Sequence, residues 1–186
     1  MIISFGGNAG SGKSTIAKLL AEKLDWPRYY VGRIRREKAK ARGLTLSEYN
    51  KLGETDPTTD TEVDEYQKQL GQTQDNFVIE GRTSWFLIPQ SLKIFLEVDE
   101  QVAAKRLFEE LKNQNDRNEG ESFQNFEEVL AIIKQRHLSD DLRYKKYYNV
   151  DVFDHQNFDF VLDTSNLTQD QFFEQVYNFV QEKLKT

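Results

Sequence analysis

Gly7-Asn8-Ala9-Gly10-Ser11-Gly12-Lys13-Ser14 is the stretch that decides the fold, with Thr15 directly after it. It has the spacing G-x-x-x-x-G-K-[ST]. Glycines at these places let the backbone wrap with its N–H groups turned inward, and the following helix N-terminus adds its dipole, so the loop is built to receive an anion. Lys13 can reach the β- and γ-phosphates of a nucleotide, and the Ser14 hydroxyl can bind Mg²⁺. Context separates this reading from a glycine-rich turn that binds nothing. Ile2-Ile3-Ser4-Phe5 is a short apolar run suited to a buried parallel strand. Ile16, Leu19, Leu20 and Leu24 follow at helical spacing. Strand, glycine loop and helix come in the order the chemistry requires.

Working outward, 186 residues suit one domain with a sizeable core. The net charge of −6 argues against nonspecific binding of nucleic acid, although a local basic pocket stays open. With no cysteine there is no disulfide, thiol nucleophile or thiolate metal site, and His137 and His155 are too few for a histidine metal cluster. The N-terminus lacks the signature of a signal peptide, and no run approaches the roughly 18 apolar residues of a membrane span. The expectation is a soluble, cytoplasmic monomer that partners small nucleotides rather than nucleic acid or membrane.

Further strands are expected at 29–31, 77–80, 94–98 and 158–162. Helices are expected at 33–42, 46–53, 60–71, 100–113, 123–148 and 168–185. In the last of these Phe172, Phe173, Val176, Tyr177, Val180 and Leu184 share one face, with Thr168 as N-cap and Gln171 at the third position. Alternating strands and helices imply an α/β fold, a five-stranded parallel sheet with helices on both faces, whose ligands bind beyond the carboxyl ends of the strands. Two segments interrupt the alternation. Residues 32–72 are mostly helix between strands two and three. Residues 113–122 are polar and poorly periodic, to be read as a surface loop or as a lid that excludes water.

Three arginine-bearing features bear on what receives a phosphate. Arg33-Ile34-Arg35-Arg36 follows Gly32 at the end of strand two, at a helix start whose dipole disfavours cations. Glu80-Gly81-Arg82 ends the third strand. Gly81 permits close backbone approach, Arg82 offers a planar fork matched to phosphate, and Glu80 could order Mg²⁺ through water or hold an arginine. Arg136, Asp140, Arg143 and Tyr147 lie at i, i+4, i+7 and i+11 on one helical face, to be read as a salt-bridged solvent face or as a polyphosphate contact.

With these residues in place the chain resembles the short, archaeal-type cytidylate kinases of the nucleoside monophosphate kinase superfamily, almost end to end. The opening loop, the Gly32–Arg36 turn, residues 39–52, Asp56-Pro57, Asp60, Asp64, Glu80-Gly81-Arg82 with Trp85, and Arg143-Tyr144 with Tyr147 and Asp151 all contribute. The resemblance implies a three-layer P-loop NTPase fold spanning 1–186. Its core would be 1–31, 73–112 and 123–186, with a monophosphate-binding helical insert at about 32–72 and a lid at about 113–122. It implies ATP- and Mg²⁺-dependent phosphoryl transfer to a nucleoside monophosphate, CMP or dCMP first. A related small-molecule kinase with another acceptor, or a regulatory ATPase, are the alternatives.

By the same resemblance Gly7, Asn8, Ala9, Gly10, Ser11, Gly12, Lys13, Ser14 and Thr15 hold the ATP phosphates, with Lys13 on the transferred group and Ser14 on the metal. Arg36 and Arg82 grip the acceptor phosphate. Arg106 lies near the ATP base or phosphates. Arg136 and Arg143 converge on the transferring phosphoryl group, and Asp140 lies near the acceptor pyrimidine or its sugar. Asp163-Thr164-Ser165 is similar to the loop beside the adenine. The chain departs from the family's Gly-Asp-Ile-x-Arg pattern at Arg33, where an acidic residue is usual, and at Arg35, where an apolar one is usual. The 113–125 stretch is longer than the usual lid, with Arg117 in it.

Overall fold

A computed structural model of the chain describes residues 1–112 and 125–185. The interval 113–122 and Arg117 therefore lie outside the described residues. Five strands, β1 (Ile2–Gly7), β2 (Arg28–Tyr30), β3 (Phe77–Glu80), β4 (Leu92–Glu97) and β5 (Phe160–Asp163), form one sheet in the order β2-β3-β1-β4-β5. Every pairing is parallel. β1 is buried along its whole length, as a strand covered by helices on both faces must be. The chain leaves β1 towards β2 and β3 on one side, then crosses back to β4 on the other. The loop after β1 thus stands at the point where strand order reverses, the place where such sheets bind ligands.

Helix α1 (Lys13–Leu24) and helix α8 (Gln169–Leu184) cover one face of the sheet. Ile16, Ala17 and Leu20 from α1, and Phe172, Val176 and Val180 from α8, pack on Ile3, Phe5, Val78, Ile94 and Leu96. The capping box at Thr168 and Gln171 forms as its sequence requires. Leu184, expected on the same apolar face, is 38% exposed because the helix has run past the sheet. The other face carries α2 (Val31–Ala41), α3 (Leu46–Gly53) and α4 (Thr58–Thr73), whose Val31, Val63 and Leu70 meet Ile2, Phe77, Ile79 and Ile88. A short helix, α5 (Ser84–Leu87), precedes β4. Helices α6 (Glu100–Lys112) and α7 (Phe126–Tyr148) pack on each other through Ala104, Leu107, Val129 and Ile133.

Several boundaries move from expectation, each for a local reason. Val31, expected in the second strand, opens α2 instead, because its side chain is buried against the layer beneath the sheet rather than paired along it. α4 begins at Thr58, two residues early, where the Asp56 carboxylate accepts from the Thr58 N–H at 2.9 Å. α5 has four residues, too few to show a helical period. β4 begins at Leu92 and ends at Glu97, and β5 begins at Phe160.

Gly7 is where the fold and the loop constrain each other. Its φ is +126°, and a Cβ there would stand 2.0 Å from the Leu96 carbonyl oxygen. Gly7→Ala is therefore expected to lose about 3 kcal/mol or more of stability, seen as a lower urea midpoint. An unchanged midpoint would contradict the packing of this loop.

Candidate active site

The loop 8–12 joins β1 to α1 with Gly12 in the left-handed region, and no side chain caps the first turn of α1. The N–H groups of that turn are thus left to a ligand. The Asn8 N–H is anchored on Leu96 O at 3.2 Å, and the Ser11 hydroxyl closes on Asn8 O at 2.9 Å. The Lys13 ammonium reaches back over the loop, donating to Gly7 O at 2.9 Å and to Asn8 O.

Beside this loop lies a cleft of about 400 Å³, lined on the loop side by residues 9–15 and on the far side by residues of α2, α3, α4, the turn after β3, α6 and α7. Arg36, Arg82, Arg106, Arg136 and Asp140 all reach it. Gly81 N bonds Phe5 O at 3.1 Å, which keeps the chain after β3 tight against β1. Arg82 leaves that turn to donate to Gly7 O and, through Nε, to Asp140 Oδ2 at 2.7 Å. One guanidinium thus ties the phosphate loop to α7. Arg36 donates to the Tyr30 hydroxyl at 2.7 Å and stacks over its ring. Arg106 grips Thr164 through Oγ1 and the carbonyl oxygen, and Thr164 in turn donates to Ser11 O at 3.2 Å. Arg106 therefore belongs to the loop 163–165 as well as to the cleft.

Arg136 is the electrostatic focus. Its pKa is pushed down to about 10, first by burial and then by the cations Arg36 and Arg82, with Asp140 opposing. Arg36 and Arg82 are thus held near enough to Arg136 to work against its charge. Arg143 has the opposite surroundings. It is wholly buried, with Nη1 on both oxygens of Asp60 at 2.5 and 2.7 Å and Nη2 on Asp140 at 2.5 Å. Burial works against its charge, but Tyr144, Asp140 and Asp60 outweigh burial and raise its pKa above that of a free guanidinium. Burial would likewise raise the Asp140 carboxyl, but Arg82 and Arg143 overrule it and hold it below its usual range.

The face shared by Arg136, Asp140, Arg143 and Tyr147 is thus divided. Arg136 and Asp140 line the cleft, whereas Arg143 is spent on two carboxylates and does not line it. The Tyr147 hydroxyl bonds Gly53 O at 2.8 Å. Gly7 and Asn8 sit behind the cleft as the loop's frame. Glu80 holds an arginine, its carboxylate being paired with Arg28. Arg33 is exposed and bonds Glu37 at 2.8 Å, away from the cleft. Tyr30, Asn50 and Thr83 also line the cleft. Nothing local in the sequence marked them, since each is brought there by elements far apart in the chain.

Parallel sheet, phosphate loop and arginine-lined cleft define a P-loop kinase of the nucleoside monophosphate type. Residues 2–166 match the model of the cytidylate kinase-like family, and the chain belongs to that family. It is 34% identical over 169 residues to the cytidylate kinase of Methanococcoides burtonii, covering 91% of this chain and 90% of that one. It is 35% identical over 174 residues to the cytidylate kinase of Pyrococcus furiosus, covering 93% and 84%. In fold it is similar to the shikimate kinase of Bacteroides thetaiotaomicron, with a TM-score of 0.64 at 18% identity, over 100% of this chain and 99% of that one.

The two α7 arginines predict stability effects of different size. Arg143→Met takes one partner from each of two buried carboxylates, Asp60 and Asp140, and is expected to cost about 3 kcal/mol. Arg136→Met removes a cation that Arg36 and Arg82 work against and is expected to cost less, about 1 kcal/mol. Thermal denaturation of both variants at pH 7 checks the order, and equal destabilisation would contradict the division of roles.

Proposed function

We propose that the chain transfers the γ-phosphoryl group of ATP to a nucleoside monophosphate, CMP or dCMP, giving the diphosphate. The observation that carries this reading is the convergence of Arg36, Arg82 and Arg136 beside the phosphate loop. Like charges held together in a partly buried cleft are stabilised by a polyanion, and a donor triphosphate meeting an acceptor monophosphate is one. Family membership supports the same reaction class.

In this reading residues 9–15 cradle the donor phosphates through backbone N–H groups, and Lys13 exchanges its loop oxygens for phosphate oxygens. Arg106 and the loop 163–165 lie on the side of the donor base. Residues 32–72 act as the acceptor insert, in which Arg36, together with Arg82, holds the acceptor phosphate. An oxygen of that phosphate attacks the γ-phosphorus as the bond to the ADP oxygen breaks. Because a phosphate oxygen is already a competent nucleophile, no general base is needed. Alignment and neutralisation of charge do the work, with Arg136 on the transferring group. Arg143 acts one step back. By clamping Asp60 and Asp140 it positions α7 and the insert, and through Asp140 it orients Arg82.

Magnesium fits the cleft on its donor chemistry. The Ser14 hydroxyl lines the cleft, and no cluster of three metal-ligating side chains exists among the described residues. That suits an ion whose other ligands are phosphate oxygens and water. Ser14 would hold it, and it would neutralise charge on the phosphates. Arg33 is the residue whose reversed charge most favoured a different acceptor. It points to solvent beside Glu37 and gives that alternative no support.

Coupled measurement of ADP release across a panel of monophosphates, with a no-acceptor control, tests the proposal. Release should depend on a pyrimidine monophosphate. Lys13→Ala and Arg136→Met should each lower kcat about 10²- to 10³-fold. ADP release that ignores the acceptor would sink the kinase reading in favour of a simple ATPase.

A further inference from the structure

Tyr30 ends β2, the edge strand of the sheet, and lines the cleft there. Its ring meets two guanidiniums. Arg28 Cζ lies 5.2 Å from the ring centroid and Arg36 Cζ 5.4 Å. Arg28 is tied down from behind: its Nε donates to Glu80 Oε1 at 2.8 Å, and the Glu80 side chain is buried. Strand register explains the meeting. Tyr30 and Glu80 are partners across β2 and β3, and Arg28, two residues back, shares the Tyr30 face of its strand.

Arg36 is engaged through the other end of the ring. The Tyr30 hydroxyl accepts from its Nη1 at 2.7 Å. Arg36 stands in the second turn of α2, so this one bond ties the strand end to the helix that follows it. Gly32 between them makes room for the ring, since a Cβ there would stand 2.7 Å from Tyr30 Cε2. A hydroxyl suits the task better than a carboxylate. It orients a guanidinium without neutralising it, whereas Arg143 is held by the opposite charges of Asp60 and Asp140. The face of the ring adds a further attraction that leaves the cation its charge.

We propose, resting on the kinase reading above, that Tyr30 is a positioning residue for the acceptor phosphate. Glu80 fixes Arg28, Arg28 packs on the Tyr30 ring, and the Tyr30 hydroxyl sets the plane of the Arg36 guanidinium. A planar fork grips a phosphate well only when its plane meets the phosphate oxygens. An arginine that must first settle its long side chain loses freedom on binding, and a bond already made removes that loss. Tyr30 acts on the monophosphate alone, because the donor phosphates belong to residues 9–15 on the loop side of the cleft.

Calorimetric titration of the full chain with CMP and with ATP, each alone, tests the assignment apart from turnover. Tyr30→Phe keeps the ring and loses the hydroxyl. It should weaken CMP about fivefold and leave ATP within about twofold. Arg36→Met should weaken CMP about tenfold or more. Adding Tyr30→Phe to Arg36→Met should then change CMP binding by less than about twofold, since the group it positions is gone. A Tyr30→Phe chain with unchanged CMP affinity overturns the proposal. Equal weakening of CMP and ATP overturns it too, by making Tyr30 a packing residue of the fold. The same loss with and without Arg36 overturns it as well, because Tyr30 would then act by another route. The expected binding pattern without phosphoryl transfer would sink the kinase reading alone.

Discussion

The gathering of Arg36, Arg82 and Arg136 on one cleft is the constraint on which the rest of the site depends. Burial first, and then the charges of Arg36 and Arg82, work against the Arg136 guanidinium, and its lowered pKa records both. The surrounding structure has to impose the cluster. It does so by fastening each arginine to a different element: Arg36 to the Tyr30 hydroxyl at the end of β2, Arg82 to the phosphate loop and Asp140, and Arg136 to the body of α7. Strain of this kind at a site is relieved when its ligand arrives, which gives a preorganised charge its catalytic worth.

α7 is the beam that carries this load. Its C-terminal half is stitched to the helices between β2 and β3 at several points. Arg143 holds Asp60, Tyr148 holds Asp64 at 2.5 Å, Tyr147 holds Gly53 O and Lys146 holds Glu54 O at 2.7 Å. A buried ion pair of this sort adds little net stability over an apolar pair of the same shape, but losing one partner is costly. Its value lies in fixing geometry. Arg143 and Arg136 sit seven residues apart on one helix, the first clamped between Asp60 and Asp140 and the second lining the cleft.

The phosphate loop and most of the sheet were legible because their signals are local. Glycine spacing, an apolar strand before it and a helical period after it lie within 24 residues, and the capping box of α8 is a four-residue pattern. Other features were not legible. Short elements such as α5 carry no period, and the change at Val31 from strand to helix depends on what lies under the sheet. The division of labour on α7 was hidden for a different reason. Spacing places Arg136 and Arg143 on one face, but Arg143 is neutralised by Asp60, 83 residues away in the chain. Glu80 was open between a metal role and an arginine for the same reason. Its partner Arg28 is 52 residues distant. Long-range pairing decides which charged groups are structural and which are left to meet a ligand.

The claim that the cluster joins a donor to an acceptor is tested most directly by following the phosphorus itself. ³¹P NMR of the full chain with ATP, Mg²⁺ and CMP should show the γ-phosphorus of ATP disappear as the β-phosphorus of CDP appears. Little inorganic phosphate should form, and the signals should stay unchanged when CMP is left out. Inorganic phosphate accumulating at the same rate with and without CMP would contradict the account.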